Sequence, residues 1–286
     1  MNYKSTRNRQ ISVSSSNAIA QGISSDGGLF VPQSFPHFSY ADLSEMQHLS
    51  YTDRAARILQ PFLTDFTKEE INECVTAAYT GGKFEKDIPA PLIYLQSGNI
   101  NINMLELWHG PTCAFKDMAL QILPHLLTKS LKKIHSSKTA LILVATSGDT
   151  GKAALEGFKN VNGTKIQVFY PENGVSPMQK RQMNTQEGNN VSVCAIEGNF
   201  DDAQTGVKKI FTDSKIKELL AKNNIMFSSA NSINWGRLLP QIVYYFSAYC
   251  DLMAKGEINY EGEKVNITVP TGNFGNILAA YYAKKM

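Results

Sequence analysis

"ALILVATSGDTGKAALEGF", residues 140–158, runs from a β-rich stretch through a polar glycine turn into an alanine-rich helix. A short run rich in Val, Ile or Leu that feeds a helix is the repeating unit of a parallel sheet with helical crossovers. Outward from this stretch the unit recurs. Strands are expected at 102–107, 140–145, 166–170, 191–196 and 265–269, and helices at 117–133, 151–160, 177–187, 201–213, 214–222 and 235–255. The alternation predicts an α/β fold with a mostly parallel sheet. Pro124 and Pro240 belong at a kink or near a helix start, because proline has no backbone N–H to donate.

The first eighty residues differ. "DGGLFVPQSFP" is turn-rich, and 40–46, 51–63 and 68–79 carry helical spacing until "TGGK" at 80–83 closes the block. The expected organisation is a mainly helical N-terminal domain over 1–83 and an α/β core over 84–286, with a smaller subdomain inserted at about 140–240. The last segment, "GNFGNILAAYYAKKM", opens a helix at a glycine turn and stops after barely three turns, so further chain is expected beyond it.

With 286 residues and 43% hydrophobic content the chain can bury a sizeable core. Its 28 basic and 25 acidic residues leave a net charge of only +3. No run of five like charges interrupts the balance, which argues against nucleic acid or a membrane surface as main partner. Cys74, Cys113, Cys194 and Cys250 stand far apart, with neither C-x-x-C pairs nor a nearby histidine spacing, so free thiols are expected and no metal site. The start lacks the apolar stretch of a signal peptide, and the expected location is the cytoplasm.

Four stretches carry candidate chemistry. In "HGPTCAFKDMALQ", 109–121, Lys116 stands among Phe115, Met118 and Ala119 at a helix start. A buried lysine loses affinity for its proton, and the neutral amine can attack a carbonyl. A lysine whose stem snorkels to water fits the same residues. In "ATSGDTG" a Walker loop fails twice: the position five before Gly151 is Thr146, and Ala153 follows Lys152. A hydroxyl-lined helix N-terminus suited to a small carboxylate remains, with Ser147 and Thr150 as donors, as does simple capping by Ser147 or Asp149. "VPTGNFGNILAAYY", 269–282, places Gly272 and Gly275 around Asn273 and Phe274, with Asn276 leading a helix. Such a turn either cradles an anion on backbone N–H groups or is an ordinary strand-to-helix connection. "SSANSINWGRLLPQ" crowds Asn231, Ser232, Asn234 and Arg237 into seven residues, a phosphate-recognising set or a polar loop before a helix.

These stretches, together with "YKSTRN", "GISSDGGLFVP" and "GNFDDAQTGVKKIF", resemble pyridoxal-phosphate enzymes of the tryptophan-synthase-β fold type, and most closely the threonine synthases of bacteria and fungi. The resemblance spans nearly the whole chain and implies parallel sheets with helices on both faces. It implies that Lys116 forms a Schiff base with pyridoxal 5′-phosphate, that Gly272, Asn273, Phe274, Gly275 and Asn276 hold the cofactor phosphate, and that Asp149 lies near the cofactor ring. Ser147 and Thr150 then face the amino-acid carboxylate, and Asn231, Ser232 and Arg237 the substrate phosphate. The implied reaction converts O-phospho-L-homoserine and water to L-threonine and phosphate, in a monomer or homodimer. A serine/threonine dehydratase and a non-catalytic ligand-binding protein are the alternatives. Cys113 replaces a residue that is often aliphatic in the family, and the family's partner for the pyridine nitrogen is expected beyond residue 286.

Overall fold

The computed structural model describes residues 1–258 and 260–286. The N-terminal block begins with β1 (Asn2–Ser5), which pairs antiparallel with both β2 (Ser12–Ser14) and, across its other edge, β3 (Phe30–Pro32). Between the last two lies α1 (Ser15–Gln21). Then follow α2 (Tyr40–Met46), α3 (Tyr51–Leu59) and α4 (Lys68–Tyr79). Each starts where the sequence supplies a hydroxyl: Ser14, Ser39, Ser50 and Thr67 accept from the backbone N–H three residues on. The helices expected here are present, and a three-stranded sheet accompanies them. Its strands of three or four residues are too short to display an alternation.

β4 (Leu92–Ser97) and β5 (Ile100–Leu105) form a two-stranded antiparallel ribbon. The strand expected at 102–107 is therefore displaced and lies outside the parallel sheet. The cause is local: Gly98 and Asn99 are the two unpaired residues between Ser97 and Ile100, and Gly98 takes φ +59°, so a tight hairpin returns the chain at once.

Proline also corrects the long helix expected at 117–133, which is α5 (Asp117–Leu120) followed by α6 (Leu123–Lys133). Pro124 cannot donate to the Leu120 carbonyl, and that oxygen instead faces Gly157, where a Cβ would approach it to 2.2 Å. Then strands and helices alternate as β6 (Thr139–Ala145), α7 (Asp149–Phe158), β7 (Thr164–Pro171), α8 (Pro177–Asn184), β8 (Val191–Ile196), α9 (Phe200–Thr212), α10 (Ser214–Lys222) and β9 (Ile225–Ser229). The four strands form one parallel sheet in the order β8-β7-β6-β9. β6, central and buried, is the run that opened the sequence analysis.

The helix expected at 235–255 is divided by the second proline into α11 (Trp235–Leu238) and α12 (Pro240–Ala254). No strand forms at 265–269. Val265 and Ile267 stay exposed, and no strand among the described residues lies beside them to complete a ladder. α13 (Gly275–Lys285) ends the chain.

One core joins these parts. Trp235 stacks between Tyr3 at 5.3 Å and Phe62 at 5.6 Å, and the Tyr3 hydroxyl donates to the Phe62 carbonyl. Arg54 of α3, buried, donates to the carbonyls of Met46 and Gln47, to Ser247 Oγ and to Asp251 Oδ1, which ties the N-terminal helices to α12. Among the described residues no helix is long and apolar enough to cross a membrane. The consequence for chemistry is positional: β6 and β9 end side by side, and the turns after their carboxyl ends open into one cleft.

Candidate active site

Lys116 is presented by a turn that its neighbour fixes. Asp117, fully buried, accepts from the Thr112 backbone N–H and from Thr112 Oγ1, each at 2.8 Å. A Cβ at Gly110 would lie 2.5 Å from Asp117 Cβ, so only glycine lets the chain pass there. Burial pushes the Asp117 carboxyl up, and the Thr112 hydrogen bonds oppose this. The turn thus locked, the Lys116 side chain extends from the start of α5 into a cleft of about 270 Å³. Its Nζ lies 3.5 Å from Asp149 Oδ2 and 4.5 Å from the Phe115 ring centre. Burial lowers the affinity of this amine for its proton, Asp149 opposes the shift, and the Arg237 charge adds to it.

The turn after β6 forms a second wall. Thr146, buried, accepts the N–H groups of Gly148 and Gly151 at 3.0 Å each, and its hydroxyl donates to the Gly148 carbonyl. That closed loop starts α7 at Asp149 and leaves Ser147, Asp149 and Thr150 at the cleft. Gly148 takes φ +150°, and a Cβ there would strike the Gln179 amide at 2.5 Å. Gln179 Nε2 donates to Asp149 Oδ1 at 2.7 Å while Oε1 accepts from Ser176 N–H at the cap of α8. Asp149 is thereby held between an amide and the lysine.

The third wall is the turn leading into α13. Gly272 takes φ +47° with nothing within 4 Å of a Cβ position, and Phe274 takes φ +60° and is 64% exposed. The hydroxyls of Tyr244 and Tyr245 donate to Asn276 Oδ1, which moors the helix start to α12.

Arg237 closes the fourth side. It is 4% exposed, donates to the Ala230 carbonyl at 2.7 Å and reaches Thr150 Oγ1 at 3.4 Å. Its Nε has no hydrogen-bond partner, and no carboxylate pairs with it among the described residues. Burial pushes its pKa down to about 10. A buried guanidinium without a counter-charge is costly unless an anion completes it. Asn234 holds this segment in place: its Nδ2 donates to the carbonyls of Ser229 and Ile19, and its Oδ1 caps α11.

Of the residues singled out from sequence, Lys116, Ser147, Asp149, Thr150, Ser232, Arg237, Gly272, Asn273, Gly275 and Asn276 line this cleft. Phe274 turns outward, and Asn231 lines a different cavity, its Nδ2 donating to the Ala145 carbonyl. Sequence reasoning missed Thr146, Gln179 and Gln241, which also line the cleft. Ser176 with Gln179 is a capping-box signature that marks the start of α8, but its second bond, to Asp149, spans thirty positions and leaves no local trace.

The chain is similar to known proteins along its whole length. Residues 2–79 match the sequence profile of a family described as "Threonine synthase N terminus". The chain is 45% identical to human threonine synthase-like 1 over 95% of its own length and 37% of that protein. It is 40% identical to the threonine synthase of Pseudomonas aeruginosa, covering all of this chain and 57% of that one. Among solved structures, a PLP-bound threonine synthase from Brucella melitensis superposes with a TM-score of 0.85 at 40% identity, and the yeast enzyme with 0.87 at 35%. Each match covers the whole of this chain, and 58% and 56% of those chains. The chain spans about half the length or less of the curated relatives it matches. By profile, identity and superposition, the chain belongs to the threonine synthase family.

Proposed function

We propose that this cleft binds pyridoxal 5′-phosphate at Lys116 and that the protein converts O-phospho-L-homoserine and water to L-threonine and phosphate in the cytoplasm. The observation that carries the reading is the pairing, across one cavity, of an amine whose proton affinity burial has lowered with a buried guanidinium that has no carboxylate. The residues fit the cofactor. Gly272 leaves open space where a side chain would stand, and the backbone of Gly272, Asn273 and Gly275 together with the start of α13 suits a phosphate. Arg237 and Ser232 then remain for the phosphate of the substrate, and two anion sites are what a phosphate ester handled by a phosphorylated cofactor requires.

When bound, the cofactor supplies an electron sink for a carbanion at the substrate Cα. The chain's own residues supply the rest. Lys116, once free of the cofactor, is placed to take the proton from Cα and return it, with Asp149 3.5 Å away to steady the charged form. Ser147 and Thr150, at the start of α7, face the substrate carboxylate. Loss of a proton from Cβ lets the Cγ–O bond break, Arg237 and Ser232 hold the departing phosphate, Cγ takes up a proton, and water adds at Cβ to give the product.

The higher identity to threonine synthase-like 1 than to the bacterial enzyme favours a second reading, in which cofactor and phosphate ester are bound without threonine formation. Incubation of cofactor-loaded protein with O-phospho-L-homoserine separates them. Threonine and phosphate in equal amounts support the first reading. Phosphate with a keto acid, or neither product, contradicts it.

A further inference from the structure

A larger cavity, of about 650 Å³, lies between residues 23–29 of the N-terminal block and the face formed by α9, α10 and β9. Of the residues singled out for chemistry, Asn231 alone lines it. Its bed is apolar, with Val207, Phe211, Leu220 and Phe227. Arg7, Lys138, Lys208 and Lys217 also line it, and no aspartate or glutamate does. None of these four cations pairs with a carboxylate among the described residues, although eleven ion pairs form elsewhere. Lys208 reaches only the Gln204 amide oxygen at 3.3 Å, and Arg7 only the Asp26 carbonyl at 3.3 Å.

In a protein with near-balanced charge, four uncompensated cations around one apolar bed focus a positive potential into it. Water solvates such cations but gains nothing from the bed, and a neutral apolar molecule would fill the bed and leave the charges unanswered. A molecule with both features satisfies both surfaces. The volume is that of small-molecule sites. Its inner end meets the catalytic cleft from behind: Asn231 donates to the Ala145 carbonyl at this end, and the next residues, Ser232 and Thr146, line the cleft.

We propose that this cavity binds an amphipathic monoanion, an apolar body of medium-chain fatty-acid size carrying one carboxylate. The site is distinct from the cleft assigned to cofactor and substrate, so its test needs neither. Titration calorimetry of the intact chain with decanoate is expected to show one saturable site, with decanol, the uncharged analogue, bound at least about tenfold more weakly, a gap of ~1.4 kcal/mol. Lys208→Glu combined with Lys217→Glu, both on the surface, with folding to be checked by circular dichroism, should weaken decanoate by a similar factor and abolish the preference over decanol. Ala221→Trp, which narrows the cavity, should weaken both ligands. Ile100→Ser on the β4–β5 ribbon, an exposed apolar surface away from the cavity, should change nothing. Absence of saturable binding, unchanged affinity in the double lysine variant, or loss of binding in Ile100→Ser overturns the proposal.

Discussion

Lys116 sets an ionisable amine in a mostly buried position. Its side chain is 19% exposed, and burial disfavours its charge. The folded chain therefore releases this proton at lower pH than the unfolded chain. Below both pKa values the amine is charged in both states and the fold bears the desolvation cost. Between them the unfolded chain holds more protons, so stability rises with pH. Lys116→Met is accordingly expected to raise the melting temperature near neutral pH by about 2–4 °C, the shift that ~1 kcal/mol produces in a chain of 150–250 residues. The gain should shrink as pH approaches the usual lysine value of about 10.4. Melting curves from pH 7 to alkaline values check this, and a gain that grows with pH contradicts it. The residue types were legible in sequence because a lysine among apolar neighbours and an arginine among amides are locally unusual. The partners were not: Gln179 meets Asp149, and Arg237 lacks an acid, only because α7, α8 and α11 converge in space.

At the scale of elements, the strand–turn–helix at 140–158 was readable because β6 is buried on both faces and its turn carries polar and glycine residues with few alternatives. The misreadings have specific causes. Prolines 124 and 240 each divide what periodicity joins, since periodicity follows side chains and is blind to a missing N–H. The 265–269 run has strand-like residues without a neighbouring strand, and pairing is a property of two segments. The turn between β6 and α7 tests how tightly an element sets the site. Gly148→Ala would place a methyl group against Gln179 at a positive φ, so a loss of about 1–3 kcal/mol is expected from backbone strain, read by urea unfolding. Adding Gln179→Ala should recover only part of it, because the clash is relieved and the φ is not. Full recovery would show that the turn is not strained.

For the molecule as a whole, the boundary expected at residue 83 falls within a continuous core: Tyr3 and Phe62 from the N-terminal block enclose Trp235, and Arg54 binds α12. That shared core, with the parallel sheet, holds three turns from separate parts of the chain around Lys116. In the proposed function these turns form one cofactor cleft with Lys116 as its anchor. The most direct test is to incubate the chain with pyridoxal 5′-phosphate, reduce with borohydride, and locate the retained cofactor by peptide mass mapping. A single phosphopyridoxyl group on Lys116, absent from Lys116→Arg, is the predicted result. Labelling spread over surface lysines, or equal labelling of the Lys116→Arg protein, would contradict it.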